Sequence, residues 1–313
     1  MFKSLFSQKG LSLERMRGFL EMAEAGSIAG AAPGDVVRQS LISRQIRELE
    51  EFFSAELTIR KGKTLALAPE GVRLAAIIRE QFQTLEDFRS VQVNVPRVFT
   101  LCAGASTLEW MVTPFLTDLA RVLGGVQLRT EMRRSRPLVE AVREGSVDLG
   151  IVRRDAIPDP SRKNCEPIVE LSFHLCVPKQ LLPRKTTPDR LSDTAMWQDL
   201  PFAAGRDGGQ LDGAIRDAME QLGVSFRPRF ECGSMLQVRS LVQQGGCAAI
   251  LPNVALSGLD PNRVFSIPFR PLAGYGRTLV LHWNPRQMNR RDVSLDTLRD
   301  AAQVLAAAVP EAK

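Results

Sequence analysis

Met16-Arg17-Gly18-Phe19-Leu20-Glu21-Met22-Ala23-Glu24-Ala25-Gly26-Ser27-Ile28-Ala29-Gly30-Ala31-Ala32, followed ten residues later by Ser43-Arg44-Gln45-Ile46-Arg47-Glu48-Leu49-Glu50, is the stretch on which the fold of this chain turns. Met16, Phe19, Leu20 and Ala23 recur at i, i+3, i+4 and i+7, one face of a 3.6-residue period, and Ser12 stands where an N-cap belongs. Gly26 ends that helix. Ser27 caps a short second helix carrying Ile28, Ala31 and Ala32, whose small alanines let another helix approach closely, until Pro33 and Gly34 end or distort it. From Gln39 to Phe53 a third helix turns Ile42, Ile46, Leu49 and Phe53 inward and leaves Ser40, Ser43, Arg44 and Arg47 outside. Two short helices joined by a turn, the second polar and cationic near its start, have what a helix-turn-helix needs to enter a major groove. Arg and Gln suit bidentate contacts with guanine and adenine edges, and Ser hydroxyls suit bases or phosphates. A solvated helix face would carry the same residues, so spacing alone leaves both readings open.

Working outward, Leu57-Thr58-Ile59-Arg60-Lys61-Gly62-Lys63-Thr64-Leu65-Ala66-Leu67 reads as a hairpin wing with a basic tip, where Arg60, Lys61 and Lys63 suit phosphates across a groove. Gly62-Lys63-Thr64 imitates the end of a P-loop, but the glycine required five residues earlier is Leu57, which excludes nucleotide binding there. Pro69-Glu70-Gly71 opens a long helix in which Leu74, Ile78, Phe82 and Leu85 form a stripe that reads as half of a helix-helix dimer interface, or else packs on the chain's own core. Residues 1 to 90 hold 13 Lys and Arg against 12 Asp and Glu, so any DNA signal in them comes from placement and not from total charge.

Beyond Asn94-Val95-Pro96 strands alternate with helices. Arg97–Ala103 is a strand, a helix spans about Thr107 to Val122, Val126–Met132 is a strand, a helix spans about Pro137 to Glu144, and Val147–Val152 is a strand, a pattern that argues for a parallel α/β sheet. Ligands of such sheets sit beyond the carboxyl ends of strands, beside helix N-termini. Ala105, Ser106 and Thr107 follow the first strand, Arg133, Arg134 and Ser135 the second, and Arg153 the third. A second lobe from about Ser172 to Ile267 adds Gly205 and Arg206, then Ser234 and Met235. Together they suggest a cleft for a small anion, although each Arg read alone is equally a surface residue of a basic protein. Val264 to Arg270 would carry the chain back to the first lobe, with a strand at Leu279–Trp283 and a terminal helix from Leu295 to Val309.

The helix-turn-helix stretch, the ten-residue gap, the basic wing, the long helix and the α/β region resemble, in that order and over essentially the whole chain, the LysR-type transcriptional regulators. The resemblance implies an α/β protein overall: an all-α winged helix-turn-helix at residues 1–68, a linker and dimerisation helix at 69–93, and a two-lobed effector domain like periplasmic binding proteins at 94–313. Lobe I would take about 94–171 and 268–313, and lobe II about 172–267. It also implies that Gln39, Ser40, Ser43 and Arg44 meet DNA in the groove, that Arg38, Arg47 and Arg60 contact its backbone, and that Ser27 lies at the same surface. The implied partners are double-stranded DNA, a small-molecule effector and further copies of the chain in a homodimer or homotetramer, with RNA polymerase a further candidate. Two departures stand out. Pro33-Gly34-Asp35 occupies the second half of the scaffold helix, and Ala68 replaces the usual threonine cap of the linker helix, a loss on the order of 1 kcal/mol.

The apolar fraction of 44% and the five cysteines exclude a disordered chain and a disulfide scaffold. The net charge of +6 permits a polyanionic partner without requiring one. The opening residues break their apolar run with Lys3 and Ser4, and no run of about 18 apolar residues occurs, so the expected setting is the cytoplasm. Catalysis, metal and cofactor are not expected. Only His174 and His282 exist, each in an apolar strand, and no HExxH, GxSxG, CxxC or Rossmann pattern appears. Two alternatives remain: a small-molecule receptor without specific DNA activity, and a thiol-based redox sensor using Cys102 or Cys232, which both precede cleft loops.

Overall fold

Hydrogen-bonding side chains and glycines set the helix limits at the start of the chain. In the computed structural model, which describes residues 2–7, 9–61, 64–158, 164–206, 210–275 and 277–309, a short α1 (Lys3–Phe6) precedes α2 (Leu13–Ala25). Ser12 Oγ accepts the Arg15 amide, and Gly26 closes α2 at φ 70°, a left-handed turn that glycine makes without strain. α3 (Ile28–Ala31) is capped by Ser27, whose hydroxyl accepts from Gly30 N at 3.0 Å. Pro33 and Gly34 then form the turn, and Asp35 caps α4 (Val36–Phe53) by accepting from Arg38 N at 2.9 Å.

The recognition helix therefore starts three residues earlier than the sequence suggested, because Asp35 supplies a cap that the preceding Gly34 leaves free to fold. Phe53, expected inward, is exposed. Its turn is the last one before Ser54 leaves the helix at φ 50°, beyond the reach of the three-helix core, and it stacks edge-on against Phe52 instead.

The wing is the antiparallel hairpin β1 (Thr58–Lys61) and β2 (Thr64–Leu67). α5 (Pro69–Gln92) follows without a side-chain cap at Ala68. Its entry is set by contact: Ala68 N donates to Leu57 O, and a Cβ on Gly71 would stand 2.0 Å from that same oxygen, so only glycine lets helix and wing meet. Phe19, Met22, Ile42, Ile46, Leu49, Leu57, Ala75 and Ile78 form the buried core.

The chain divides into two compact units, residues 1–95 with 144–146, and residues 96–143 with 147–313. The second unit has two lobes. The first lobe's sheet has the order β4-β3-β5-β12-β6, built from β3 (Val98–Ala103), β4 (Gln127–Met132), β5 (Leu149–Arg153), β6 (Cys165–Leu171) and β12 (Arg277–Trp283). β3 runs parallel to β4 and β5, but β12 runs antiparallel to β5 and β6. The sheet is thus mixed and not purely parallel, because β12 arrives from the other lobe and not through a right-handed helical crossover.

The helical path after β3 is also less regular than one long helix. α6 (Ala105–Thr107) passes through a π turn at Leu108–Val112 and a 3-10 turn at Thr113–Phe115 into α7 (Leu116–Val122), with Pro114 unable to donate to the preceding turn. α8 (Ser135–Arg143) crosses between β4 and β5.

In the second lobe, β7 (Phe173–Pro178) lies between β10 (Ala249–Pro252) and β11 (Val264–Pro268), antiparallel to both. The parallel pair β8 (Ala203–Gly205) and β9 (Phe230–Cys232) joins this sheet through a bridge from Phe202 to Ala248. α9 (Gln210–Gln221) and α10 (Met235–Gln244) connect these strands. Phe269 and Leu272 belong to this lobe's core, so the return to the first sheet comes with β12, later than the expected boundary near 268.

α11 (Pro285–Arg290) and α12 (Leu295–Ala306) complete the first lobe. Arg291, just past α11, is buried: it donates from Nη1 to Asp148 Oδ1 at 2.6 Å and from Nη2 to Val98 O at 2.7 Å. Gln287 Nε2 and Thr100 N complete the Asp148 carboxylate. A buried pair survives only with its remaining hydrogen-bonding capacity met in this way. No helix among the described residues is long and apolar enough to cross a membrane.

Candidate nucleic-acid interface and ligand cleft

Because Ile42, Ile46 and Leu49 anchor α4 in the core, the opposite face is offered to solvent, and it carries Val36, Val37, Ser40, Arg44 and Arg47. Arg44 Nε donates to Glu48 Oε1 at 2.9 Å, an exposed i,i+4 pair. Hydrogen bonds from Arg15 and Arg44 hold the Glu48 carboxyl below the usual carboxylate range. Ser43 is half-buried at the edge of this face.

Three of the expected DNA residues have internal work. Ser27 caps α3. Gln39 Nε2 donates to Ala32 O at 2.7 Å, which ties α4 back across the turn. Arg38 Nη2 donates to both oxygens of Glu21, at 2.9 and 2.7 Å, which ties α4 to α2. Arg60 is exposed on β1, the Lys61 backbone pairs with Thr64, and Lys63 lies outside the described residues.

Residues that the sequence did not single out position this surface. Glu50 Oε1 accepts from Leu57 N, Thr58 N and Thr58 Oγ1 at 3.0 to 3.1 Å, fastening the wing to α4. Gly18 leaves room for Gln45, since a Cβ there would meet Gln45 Oε1 at 2.1 Å. A helix start at Gln39 leaves Val36 and Val37 off this face; the Gly34-Asp35 pair is the sequence signal for the earlier start.

In the second unit the expected ligand residues do fall at carboxyl ends of strands in both lobes. Ala105, Ser106 and Thr107 follow β3, Arg134 and Ser135 follow β4, and Arg153 ends β5. Gly205 ends β8, Arg206 follows it, and Ser234 and Met235 follow β9 at the start of α10. The lobes share one hydrophobic cluster that runs from Trp110 and Met111 to Val238 and Val242, with Leu108, Met235 and Leu236 against it. Arg239 lies 5.8 Å over the Trp110 ring.

Several of these groups already have partners. Ser234 Oγ caps α10 by accepting from Gln237 N, Arg206 N donates to Cys232 O at 2.7 Å, and Arg153 Nε lies 3.2 Å from Asp155 Oδ1. The Asp212 carboxylate packs against Gly205, where a Cβ would stand 2.8 Å from Oδ1 and make that side chain shift. Tyr275, which sequence reasoning did not consider, places a buried hydroxyl close enough to feel Arg153, Asp155 and Asp212, and it has no hydrogen-bond partner among the described residues. Burial raises its pKa, while the Arg153 charge opposes the rise and Asp155 and Asp212 add to it.

No thiol has the surroundings of a reactive thiolate. Burial pushes Cys102 and Cys247 to about 11 and Cys176 to about 12, and raises Cys165 and Cys232 as well. Burial likewise lowers both histidines. His174 sits between the Ser172 and Ser266 hydroxyls, and His282 Nδ1 lies 2.9 Å from Asn164 O.

Comparison with known proteins bears directly on this architecture. Residues 13–72 match the bacterial regulatory helix-turn-helix protein of the lysR family, and residues 94–303 match the LysR substrate binding domain. A probable nitrogen assimilation transcriptional activator of Synechococcus elongatus is 25% identical over 290 residues, 84% of this chain and 85% of that protein. Full-length OxyR C199D from Pseudomonas aeruginosa has the same fold at a TM-score of 0.61 and 16% identity, covering 98% of this chain and all of that one. LysG from Corynebacterium glutamicum, with bound effector Arg, superposes at 0.56 with 17% identity over 93% of this chain and 98% of that one. Full-length CbnR complexed with its target DNA superposes at 0.52 with 16% identity over 93% of this chain and all of that one. A helix-turn-helix with its wing, followed by a two-lobed domain that matches the substrate-binding pattern over most of its length, makes this chain a member of the LysR family of bacterial transcriptional regulators.

Proposed function

We propose that this chain is a sequence-specific DNA-binding regulator whose effector domain closes on a small anion. The supporting observation is the placement of charge: Arg134, Arg153 and Arg206 stand at carboxyl ends of strands from both lobes. A ligand held by both lobes favours their closed arrangement over the open one, and only such a preference can switch a regulator. In this reading Ala105, Ser135, Gly205 and Met235 would line the cleft, Ser106 and Thr107 would offer hydroxyls, and Tyr275 would add a hydroxyl that has no hydrogen-bond partner among the described residues.

On the DNA side, Ser40, Ser43, Arg44 and Arg47 read the groove or its backbone, and Arg60, Lys61 and Lys63 of the wing engage phosphates. Arg38 and Gln39 act chiefly by bracing α4, and Ser27 by capping α3. The chain works in the cytoplasm as a dimer or a pair of dimers, and contact with RNA polymerase is the route by which it would activate. Leu74 and Phe82 pack against the winged core and Ile78 lies inside it, so self-association falls to the exposed C-terminal stripe of α5, Leu85, Phe88 and Val91, which Ile77 extends toward the middle of the helix.

Selection of bound fragments from the host genome by the full chain, at two salt concentrations, tests this reading. One dyad-symmetric site that persists at higher salt is the expected result. Salt-sensitive retention without a preferred sequence would leave a ligand receptor with no specific DNA activity.

A further inference from the structure

The first turn of α4 differs from a solvated helix start. Capped by Asp35, the helix presents Val36 and Val37 ahead of Ser40, and these valines are 72% and 82% exposed, with Leu41 at 51%. None of the three is needed by the core, which α4 enters through Ile42, Ile46 and Leu49. At 3.6 residues per turn, Val37, Ser40, Leu41 and Arg44 share an arc of about 100° on the face away from that core. Further along, Arg47 stays on this face but is joined by Glu48 and Glu51, which discourages approach to phosphates there and leaves base contact to the first half of the helix, with Arg47 at the backbone. The face is therefore a polar centre flanked by exposed aliphatic groups, continuous with the surface that carries Arg44.

The major groove has one aliphatic feature to offer such groups, the C5-methyl of thymine. We propose that Val37 and Leu41 form an apolar reading edge that selects thymine methyls in the operator half-site, while Ser40 and Arg44 read polar base edges beside them. This rests on the DNA-binding reading above and adds a specificity to it. The two side chains are four residues apart, a rise of about 6 Å along the helix. Successive bases of one strand rise about 3.4 Å, so the two methyls lie about two base-pair steps apart.

The test begins with selection of preferred sites from random duplexes by the full chain. Each thymine of the selected site is then replaced by deoxyuridine, which removes the methyl and nothing else. Two positions should each lose about fourfold in affinity, the worth of burying one methyl. Val37→Ala should abolish the loss at one of them and Leu41→Ala at the other, whereas Arg44→Ala should weaken binding and leave both losses in place. Both aliphatic side chains are exposed, and unchanged melting curves would verify that the variants fold. The proposal is overturned if wild-type protein selects a defined site yet binds every deoxyuridine duplex equally, or if the losses persist in both alanine variants. Should the wild type select no preferred sequence, with Arg44→Ala also without effect, the DNA reading itself fails and takes this edge with it.

Discussion

Arg44 is paired with Glu48 in the free protein, but its side chain is 75% exposed, and an exposed pair of this kind contributes little that DNA could not replace. Replacement of Arg44 by Ala should lower affinity for the selected site by about tenfold or more, the worth of a base-edge contact, and leave melting and oligomeric state unchanged. Fluorescence anisotropy with specific and scrambled duplexes measures this, and an unchanged ratio would remove Arg44 from the interface. Tyr275 calls for the opposite expectation about stability. Its hydroxyl is buried without a partner among the described residues, so Tyr275→Phe should melt no lower than wild type while weakening the response to an effector; an unaltered response would place the ligand elsewhere. His282, which is buried, and His174, which is half-buried, both have lowered pKa values and bind fewer protons folded than unfolded. Stability of their unit should therefore be lost as pH falls below about 6.5, the unfolded value. Thermal melts between pH 8 and 5 would show the slope, which His282→Gln should flatten.

At the level of elements, α5 serves two surfaces that single substitutions can separate. Ile78 is buried in the winged core, so Ile78→Asp should unfold that unit, at a cost of roughly 3 kcal/mol or more, and any loss of dimers would be secondary. Phe88 is exposed near the far end of the helix; Phe88→Asp should leave melting intact and weaken self-association in sedimentation velocity. A Phe88→Asp protein with the wild-type sedimentation profile would rule out the C-terminal stripe as the contact. The wing depends on a single acceptor in the same way. Glu50 receives three donors from Leu57 and Thr58, and losing that carboxylate leaves buried amides unmatched, so the hairpin loosens without any change in its own sequence.

At the scale of the whole molecule, the second unit is held by groups far apart in sequence. Asp148, Arg291, Gln287 and Thr100 meet in one buried network that ties the C-terminal helices to the strand following the linker. Asp148→Ala would strand a buried guanidinium and should destabilise this unit by ~3–5 kcal/mol, visible as its early melting in calorimetry while the winged unit melts as before. The two lobes share one hydrophobic cluster through Trp110 and Val238, and a ligand held at strand ends of both lobes, as proposed above, would have the differential contact that a switch requires.

The order of elements was legible in the sequence because it is a local matter. Apolar spacing placed α2, α4 and α5, the Ser12 and Ser27 caps and Gly26 set their limits, and Thr58 to Leu67 announced the wing. The lysR-family assignment came from the same local runs. Less legible was which side chain would face which neighbour. Asp35 rather than Gln39 begins α4, since a cap acts only when the preceding turn presents it, and Pro33 and Gly34 make that turn. Arg38 and Gln39 look like DNA contacts until Glu21 and Ala32 are brought beside them. The stripe on α5 has one period but two partners, and periodicity reports burial without saying against what. Local spacing was enough for the family, the fold class and the helices and wing of the first unit. The tertiary structure alone decided the antiparallel return of β12, the Asp148–Arg291 network and the place of Tyr275, because contacts between residues more than a hundred positions apart leave no trace in local spacing.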